Sequence, residues 1–192
     1  MTQFAKILVT GATGFLGSHL LPKLTELGAE ITCLVRESSD TSRLPKDVNI
    51  IRADLLTGEK LCDALYDQDI LIHMAALLFG IDWQDYLNAN VRCAEQIAAA
   101  MQACGQHAPK KVILISSQAA TGPAGKEQPV NESTLPHPVS AYGWSKLLVE
   151  RTLQSQYTRD LAILRPSIIY GSGDLGLLPV FKGIQKGIAV SP

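Results

Sequence analysis

The chain has 192 residues, 46% of them hydrophobic and 18% charged, which is typical of a globular protein and excludes a disordered one. Its net charge of −1 and its scattered aromatic residues argue against nucleic-acid and anionic-membrane partners. No apolar run approaches the ~20 residues of a membrane-spanning helix, and we see no signal peptide. We therefore expect a cytoplasmic protein that acts on a small molecule.

Short apolar runs bounded by turn residues predict six strands. In chain order they are Ile7–Val9, Ile31–Val35, Val48–Ile51, Ile70–His73, Val112–Ile115 and Leu161–Leu164. Runs that are apolar on both faces are typical of a parallel sheet covered by helices. The alternation with helices predicts an α/β fold, a doubly wound parallel sheet in the order 3-2-1-4-5-6.

Helical periods lie between these runs. Their apolar stripes are Leu16, Leu20, Leu24 and Leu27, then Leu87, Val91, Ala94, Ala98 and Met101, and finally Leu147, Leu148 and Leu153. Gly28 and Gly105 are expected to end the first two of these helices. The stretch Gln118–Ser140, rich in Pro and Gly, predicts a long functional loop at the end of the fifth strand.

The cysteines do not form a recognisable metal-binding pattern. Cys33, Cys62, Cys93 and Cys104 fall in no CxxC or Cys/His cluster. Reduced thiols and no metal site are therefore expected.

Gly11, Gly14 and Gly17 form a GxxGxxG pattern at the first strand-to-helix turn. Glycine is expected there because the chain turns sharply and a Cβ would block the approach of a pyrophosphate. The N-terminus of the next helix would present free amides and partial positive charge to that anion. The pattern predicts a dinucleotide site, with a purely structural glycine turn as the alternative.

Further motifs follow in a consistent order: HMAA at 73–76, ISS at 115–117, YGWSK at 142–146 and LRPSIIYG at 164–171. With the glycine turn, they resemble the extended short-chain dehydrogenase/reductases, the NAD-dependent epimerase/dehydratase family, over essentially the whole chain. The resemblance implies an NAD(P)-binding domain over residues 1–175 and the start of a truncated substrate-binding region over 176–192. We expect that most of the C-terminal substrate domain is absent.

Tyr142 and Lys146 are four residues apart and would share one face of a helix. A phenol there can act as general acid/base, and a nearby ammonium would lower its pKa from ~10. The resemblance implies that Ser117 hydrogen-bonds the substrate oxygen and that Lys146 also holds the nicotinamide ribose. Ser116 should face the other way, because neighbouring strand residues alternate, and Thr121 is the alternative hydroxyl.

Arg36 is the first polar residue after the second strand and is followed by Glu37. An arginine there accommodates the 2′-phosphate of NADP, whereas an acidic residue binds the ribose hydroxyl of NAD. The sequence therefore favours NADP as the cofactor. The alternatives are that the cofactor is NAD, or that Arg36 is only a solvated surface residue. By resemblance Asp54 accepts from the adenine amino group; its alternative is a helix N-cap.

The resemblance implies further cofactor contacts from backbone near the strand ends. Together with Arg36, the predicted set is Gly11, Thr13, Gly14, Phe15, Leu16, Gly17, Asp54, Leu55, Ala75, Ala76, Tyr142, Lys146, Pro166, Ser167 and Ile168. His73 is expected to be a packed histidine. Asn90 matches a family asparagine, but the residues after it depart from the family pattern, so a simple polar helix residue is its alternative.

Three functions remain open from the sequence. The preferred one is hydride transfer between a nicotinamide and a carbonyl or secondary alcohol. Arg36 and the FxGIxxG stretch at 181–187 resemble the hydroxysteroid dehydrogenase and dihydroflavonol reductase branch. A nucleotide-sugar epimerase or dehydratase with retained NAD is the second, and a non-catalytic NADP sensor the third. A homodimer is left open.

Overall fold

The computed structural model of the chain describes residues 5–125, 129–157 and 160–188. Six strands form one sheet in the order β3-β2-β1-β4-β5-β6, and each paired neighbour is parallel. They are β1 (Lys6–Thr10), β2 (Glu30–Val35), β3 (Asn49–Arg52), β4 (Ile70–His73), β5 (Lys111–Ile115) and β6 (Asp160–Leu164). The predicted fold class and strand order are confirmed, and the strand bounds shift by one residue or less.

Helices follow most of the strands. They are α1 (Phe15–Glu26), α2 (Leu61–Leu65), α3 (Trp83–Tyr86), α4 (Cys93–Cys104), α5 (Ala141–Gln156) and α6 (Leu178–Gln185). A π-helical turn at Leu87–Arg92 joins α3 to α4. Short 3₁₀ turns occupy Gly105–His107 and Gln118–Ala120.

Both faces of the sheet are buried, as the apolar runs predict. Ile7 and Val9 of β1 pack with Leu21 of α1 in one cluster. Leu8, which points to the opposite face, packs in the larger cluster with residues of α2, α4 and α5. Alternate residues of one strand therefore hold two layers of helices against the sheet.

The predicted apolar stripe of the first helix is wrong at its end. Leu27 is 78% exposed, because α1 stops at Glu26 and Leu27 is already the cap residue. Gly28 follows with a φ of +80°, which allows the chain to turn back into β2, as predicted for a helix-terminating glycine. Leu21, outside the predicted stripe, is fully buried instead.

The four cysteines, all within the described residues, are free thiols. Burial raises the pKa of Cys33 to about 11, and burial with the nearby Asp54 carboxylate does the same for Cys93. These two thiols are therefore protonated at neutral pH and poorly nucleophilic.

The strand order reverses between β1 and β4, which are paired from Ile7–Ile70 to Thr10–His73. In an open parallel sheet, a crevice forms at the carboxyl ends of the strands on either side of such a reversal. The glycine turn follows β1 at this crevice, and the HMAA motif begins beside it at the last residue of β4. The fold therefore brings the two motifs together.

Candidate functional site

The glycine turn is shaped by close contacts within the protein. A Cβ on Gly11, whose φ is +76°, would lie 2.7 Å from the backbone nitrogen of Ala75. A Cβ on Gly17 would lie 2.2 Å from the carbonyl oxygen of Ala12. Contacts within the protein therefore already require these two glycines: Gly11 allows the end of β1 to approach the segment after β4, and Gly17 allows the start of α1 to approach Ala12.

Gly14 is the N-cap of α1, and no side chain caps the helix there. The first turn of α1 contains no acidic residue. The amides that begin an α-helix have no intrahelical acceptor and favour an anion. The first turn of α1 contains Phe15, Leu16 and Gly17, and the exposed Thr13 lies just before it. The start of the helix therefore fits a phosphate-bearing cofactor.

Thr10 and His73 hold the segment after β4 beside the glycine turn. The hydroxyl of Thr10 accepts from the backbone nitrogen of Ala75 at 3.3 Å and lies 2.7 Å from Nδ1 of His73. His73 is buried, as expected for a packed histidine. Burial, with a smaller contribution from the Lys146 ammonium, lowers the pKa of His73 to about 3.

Asn90 fixes the same segment from the π-helical turn. Its side-chain oxygen accepts from the Leu77 amide at 2.7 Å, and its Nδ2 donates to the Leu77 carbonyl at 3.2 Å. Nδ2 also donates to Oγ of Ser145 at 2.9 Å, and that hydroxyl donates to the Tyr142 carbonyl at 2.7 Å. Asn90 is thus a buried bridge between the Ala75–Leu77 segment and α5, rather than a simple polar helix residue.

Arg36 lies exposed immediately after β2, with Glu37 exposed beside it. The guanidinium of Arg52, at the end of β3, donates to the carbonyls of Arg36 at 3.2 Å and Glu37 at 2.7 Å. Arg52 therefore shapes the turn that presents both predicted selectivity residues. The spacing of charges in the sequence did not single it out.

Asp54 is exposed at the carboxyl end of β3, and its carboxylate accepts from the Leu56 amide at 2.8 Å. It caps a turn rather than a helix, because α2 begins only at Leu61. Leu55 was predicted among the cofactor contacts, but its side chain is buried in the larger core cluster. Only its backbone is therefore placed to meet a ligand.

Ser117 lies just beyond β5. Backbone hydrogen bonds between the segments that follow β5 and β6 continue past the ends of both strands. The Ser116 amide donates to the Leu164 carbonyl at 2.7 Å, and the Gln118 amide donates to the Pro166 carbonyl at 2.9 Å. Ser117 is therefore held between two paired residues. Its hydroxyl accepts from the Ala119 amide at 3.1 Å. The predicted Ser167 and Ile168 lie exposed just after Pro166.

Tyr142 is brought to Ser117 by a close helix approach. A Cβ on the adjacent Gly143 would lie 2.3 Å from the carbonyl oxygen of Ala119, so only glycine allows α5 to approach the turn after Ser117. Burial raises the pKa of Tyr142, and the nearby Ser117 hydroxyl only partly opposes this effect.

Lys146 is buried at the end of β5. The residue is 2% exposed, and its ammonium donates to the Ile115 carbonyl at 2.8 Å. Burial lowers its own pKa to about 8, with Glu150 acting in the opposite direction. The predicted helix face is confirmed, but burial dominates the ionisation of both groups.

A buried polar network that the sequence did not reveal supports this site. Ser116 donates to the carboxylate of Glu150, on the same helix as Tyr142. Arg165 donates to both carboxylate oxygens, at 2.9 and 2.6 Å, and to Oγ1 of Thr121 at 3.1 Å. The Thr121 hydroxyl is therefore a hydrogen-bond acceptor for Arg165. Two features of the sequence could have indicated this network: Glu150 lies four residues after Lys146, and Arg165 lies within the LRP motif.

The sequence profile of the NAD-dependent epimerase/dehydratase family matches residues 7–185. The chain belongs to this family. Its glycine turn, HMAA segment and Ser117/Tyr142/Lys146 group lie at one edge of the sheet, as the family resemblance implied.

Relatives include both reductases and epimerases. The chain is 30% identical to a ceramide reductase of Caulobacter vibrioides over 92% of its length, and 29% identical to a UDP-glucose 4-epimerase of Bacillus subtilis over 95%. The solved UDP-glucuronic acid 4-epimerase of Bacillus cereus in complex with NAD has a TM-score of 0.77 and 29% identity over 95% of the chain.

The chain spans 50% of that reductase, 58% of the Bacillus subtilis epimerase and 64% of the solved epimerase. Among the residues that the structure describes, no helix is long and apolar enough to cross a membrane.

Proposed function

We propose that the protein is a nicotinamide-dependent reductase that interconverts a carbonyl and a secondary alcohol, with a preference for NADP. The observation that carries the proposal is the close approach of α5 at Gly143 to the turn after Ser117, which brings Tyr142 and the buried Lys146 of that helix to Ser117. A non-catalytic sensor has no need of a proton donor placed in this way.

The residues of the site fit the cofactor. The uncapped N-terminus of α1 would hold the pyrophosphate, Arg36 the 2′-phosphate, and Lys146 the nicotinamide ribose. The reduced cofactor supplies a hydride to the carbonyl carbon. The resemblance implies that the backbone at Ala75 and Ala76 would lie near the cofactor and that the Pro166–Ser167 segment would shelter the nicotinamide.

Two hydroxyls carry the proton chemistry. Ser117 would donate a hydrogen bond to the substrate carbonyl oxygen, which polarises the C=O bond. As the carbon gains the hydride, Tyr142 would transfer its phenolic proton to that oxygen and complete the alcohol. The raised Tyr142 pKa keeps the phenol protonated at neutral pH, so the group is ready to act as an acid in the reductive direction.

The surroundings of Tyr142 favour an apolar substrate. The ring of Tyr86 lies 6.1 Å from that of Tyr142, and its hydroxyl donates to the Leu78 carbonyl at 3.2 Å. Leu78, Phe79 and Ile81 in this segment are 57%, 77% and 98% exposed. Exposed apolar side chains beside a reacting group suit a ketone with an apolar body better than a sugar.

A nucleotide-sugar epimerase or dehydratase is the second candidate. Solved relatives in complex with NAD and UDP-sugars favour it, including one with UDP-glucose at 29% identity. Such an enzyme would keep its NAD bound through turnover. Methyl ketones of increasing chain length with NADPH, compared with UDP-glucose and added NAD, would separate the two reactions.

Replacement of Tyr142 by Phe tests the chemistry. We expect kcat to fall by roughly 100-fold or more, because the phenylalanine ring has no proton to give, while the loss of one cofactor contact weakens cofactor binding far less. The control is Tyr86→Phe, which keeps the neighbouring ring and should retain activity. Unchanged turnover in Tyr142→Phe would contradict the proposed function.

A further inference from the structure

Glu150 is a buried carboxylate that the proposed reaction does not use. It is 1% exposed, and its oxygens accept from Ser116 Oγ, from Arg165 Nε at 2.9 Å and from Arg165 Nη2 at 2.6 Å. An ionised group so deeply buried needs such partners. The fork of Arg165 matches both carboxylate oxygens and fixes the carboxylate plane.

The partners of Glu150 lie on both sides of Ser117 along the chain. Ser116 directly precedes it, and Thr121, which accepts from Arg165 at 3.1 Å, follows the 3₁₀ turn. Arg165 itself continues β6 and precedes Pro166, whose carbonyl accepts from Gln118. The pair therefore ties α5, which carries Tyr142, to the segment that carries Ser117.

Glu150 also lies one helical turn after Lys146. Two titratable side chains interact electrostatically with the Lys146 ammonium: His73 of β4 and Glu150 of α5. Of these two, Glu150 is the carboxylate. Its field raises the pKa of Lys146 against the effect of burial.

We infer that the Glu150–Arg165 pair is a positioning device for the proposed catalytic groups. It sets Ser117 relative to Tyr142 and keeps Lys146 protonated at neutral pH. The inference rests on the proposed function, since it assigns a task to groups that act in that reaction.

Two variants test it in the cofactor-bound protein. Glu150→Gln keeps the shape of the side chain and removes its charge, but it leaves the partly buried Arg165 without its counterion and can impair folding. The double variant Glu150→Gln/Arg165→Gln removes both charges and retains amides that can pair. Asp160→Asn is the matched control, because it breaks the exposed Lys111–Asp160 pair at the opposite end of β5 and β6.

Lysine ¹³Cε NMR reports the protonation of Lys146, with its resonance assigned by its loss in Lys146→Arg. We expect a wild-type midpoint near pH 8, a lower midpoint in both Glu150 variants and an unchanged one in Asp160→Asn. With the methyl ketone that is turned over fastest, kcat at pH 7 should fall roughly 10-fold in both Glu150 variants with little change in the cofactor KM.

A wild-type midpoint below pH 7 would overturn the inference, and that measurement needs no variant. So would folded Glu150 variants whose Lys146 midpoint and kcat equal those of Asp160→Asn. If instead Tyr142→Phe keeps full turnover, the proposed function fails. Loss of activity in Tyr142→Phe together with wild-type behaviour of the Glu150 variants would reject only the positioning role.

Discussion

The imidazole Nδ1 of His73 lies 2.7 Å from the hydroxyl oxygen of Thr10, which joins the ends of β4 and β1. The Thr10 hydroxyl also accepts from the Ala75 amide, and burial keeps the His73 imidazole neutral by lowering its pKa. The pair thus holds the segment after β4 against the glycine turn.

This pair predicts acid sensitivity. The pKa of His73 is lowered from 6.5 to about 3 in the folded state, so below pH 6.5 the unfolded chain binds a proton that the folded one does not. Stability is therefore full above pH 6.5 and is lost as pH falls toward 3, by up to about 5 kcal/mol. Urea unfolding between pH 7 and 4 should show a shallower pH dependence in His73→Asn than in wild type; parallel curves would contradict the assignment.

Arg36 is predicted to select the cofactor. Arg36→Ala should weaken NADPH binding by roughly 10-fold or more, because an ionic hydrogen bond to a phosphate is lost, and should leave NADH binding nearly unchanged. Fluorescence titration of both cofactors measures this. Glu37→Gln is the matched variant: if it weakens NADH binding while Arg36→Ala has no effect on NADPH, the site is an NAD site.

Gly143 is predicted to be indispensable for the approach of α5 to Ser117. In Gly143→Ala the new Cβ would lie 2.3 Å from the Ala119 carbonyl oxygen, so the helix or the turn must move. We expect a loss of roughly 1–3 kcal/mol in unfolding free energy and a lower kcat. Gly183→Ala in α6, whose nearest contact would be 3.7 Å, should be neutral or slightly stabilising. Equal effects of the two substitutions would count against this packing account.

Asn90 should matter for structure well beyond its neighbour Asn88. Asn90→Ala leaves the Leu77 amide and carbonyl without their side-chain partners, with an expected cost of roughly 2–4 kcal/mol. Asn88→Ala loses only an exposed bond to Gln84 and should cost under about 0.5 kcal/mol. Thermal unfolding of the two variants compares them, and similar melting temperatures would refute the bridging role.

Local patterns in the sequence were sufficient for the strands, their order and the main motifs. A strand that is apolar on both faces, or a glycine pattern between a strand and a helix, depends on neighbours along the chain. The end of the Leu16–Leu27 stripe was missed because the exposure of Leu27 depends on where α1 stops against β2. The packing of Gly11 against Ala75 and of Gly17 against Ala12 was not predicted, because these contacts form only in the folded chain.

The sequence by itself determined that this chain is a doubly wound sheet with a glycine turn between its first strand and first helix and a Ser117/Tyr142/Lys146 group. Only the tertiary structure decided how those groups ionise: Tyr142 with a raised pKa, and Lys146 with a pKa lowered to about 8 and bound to the Ile115 carbonyl. It also paired Glu150 with Arg165, which are 15 residues apart. Residue spacing describes one helix or strand, whereas burial and long-range pairing depend on every element that packs around a group.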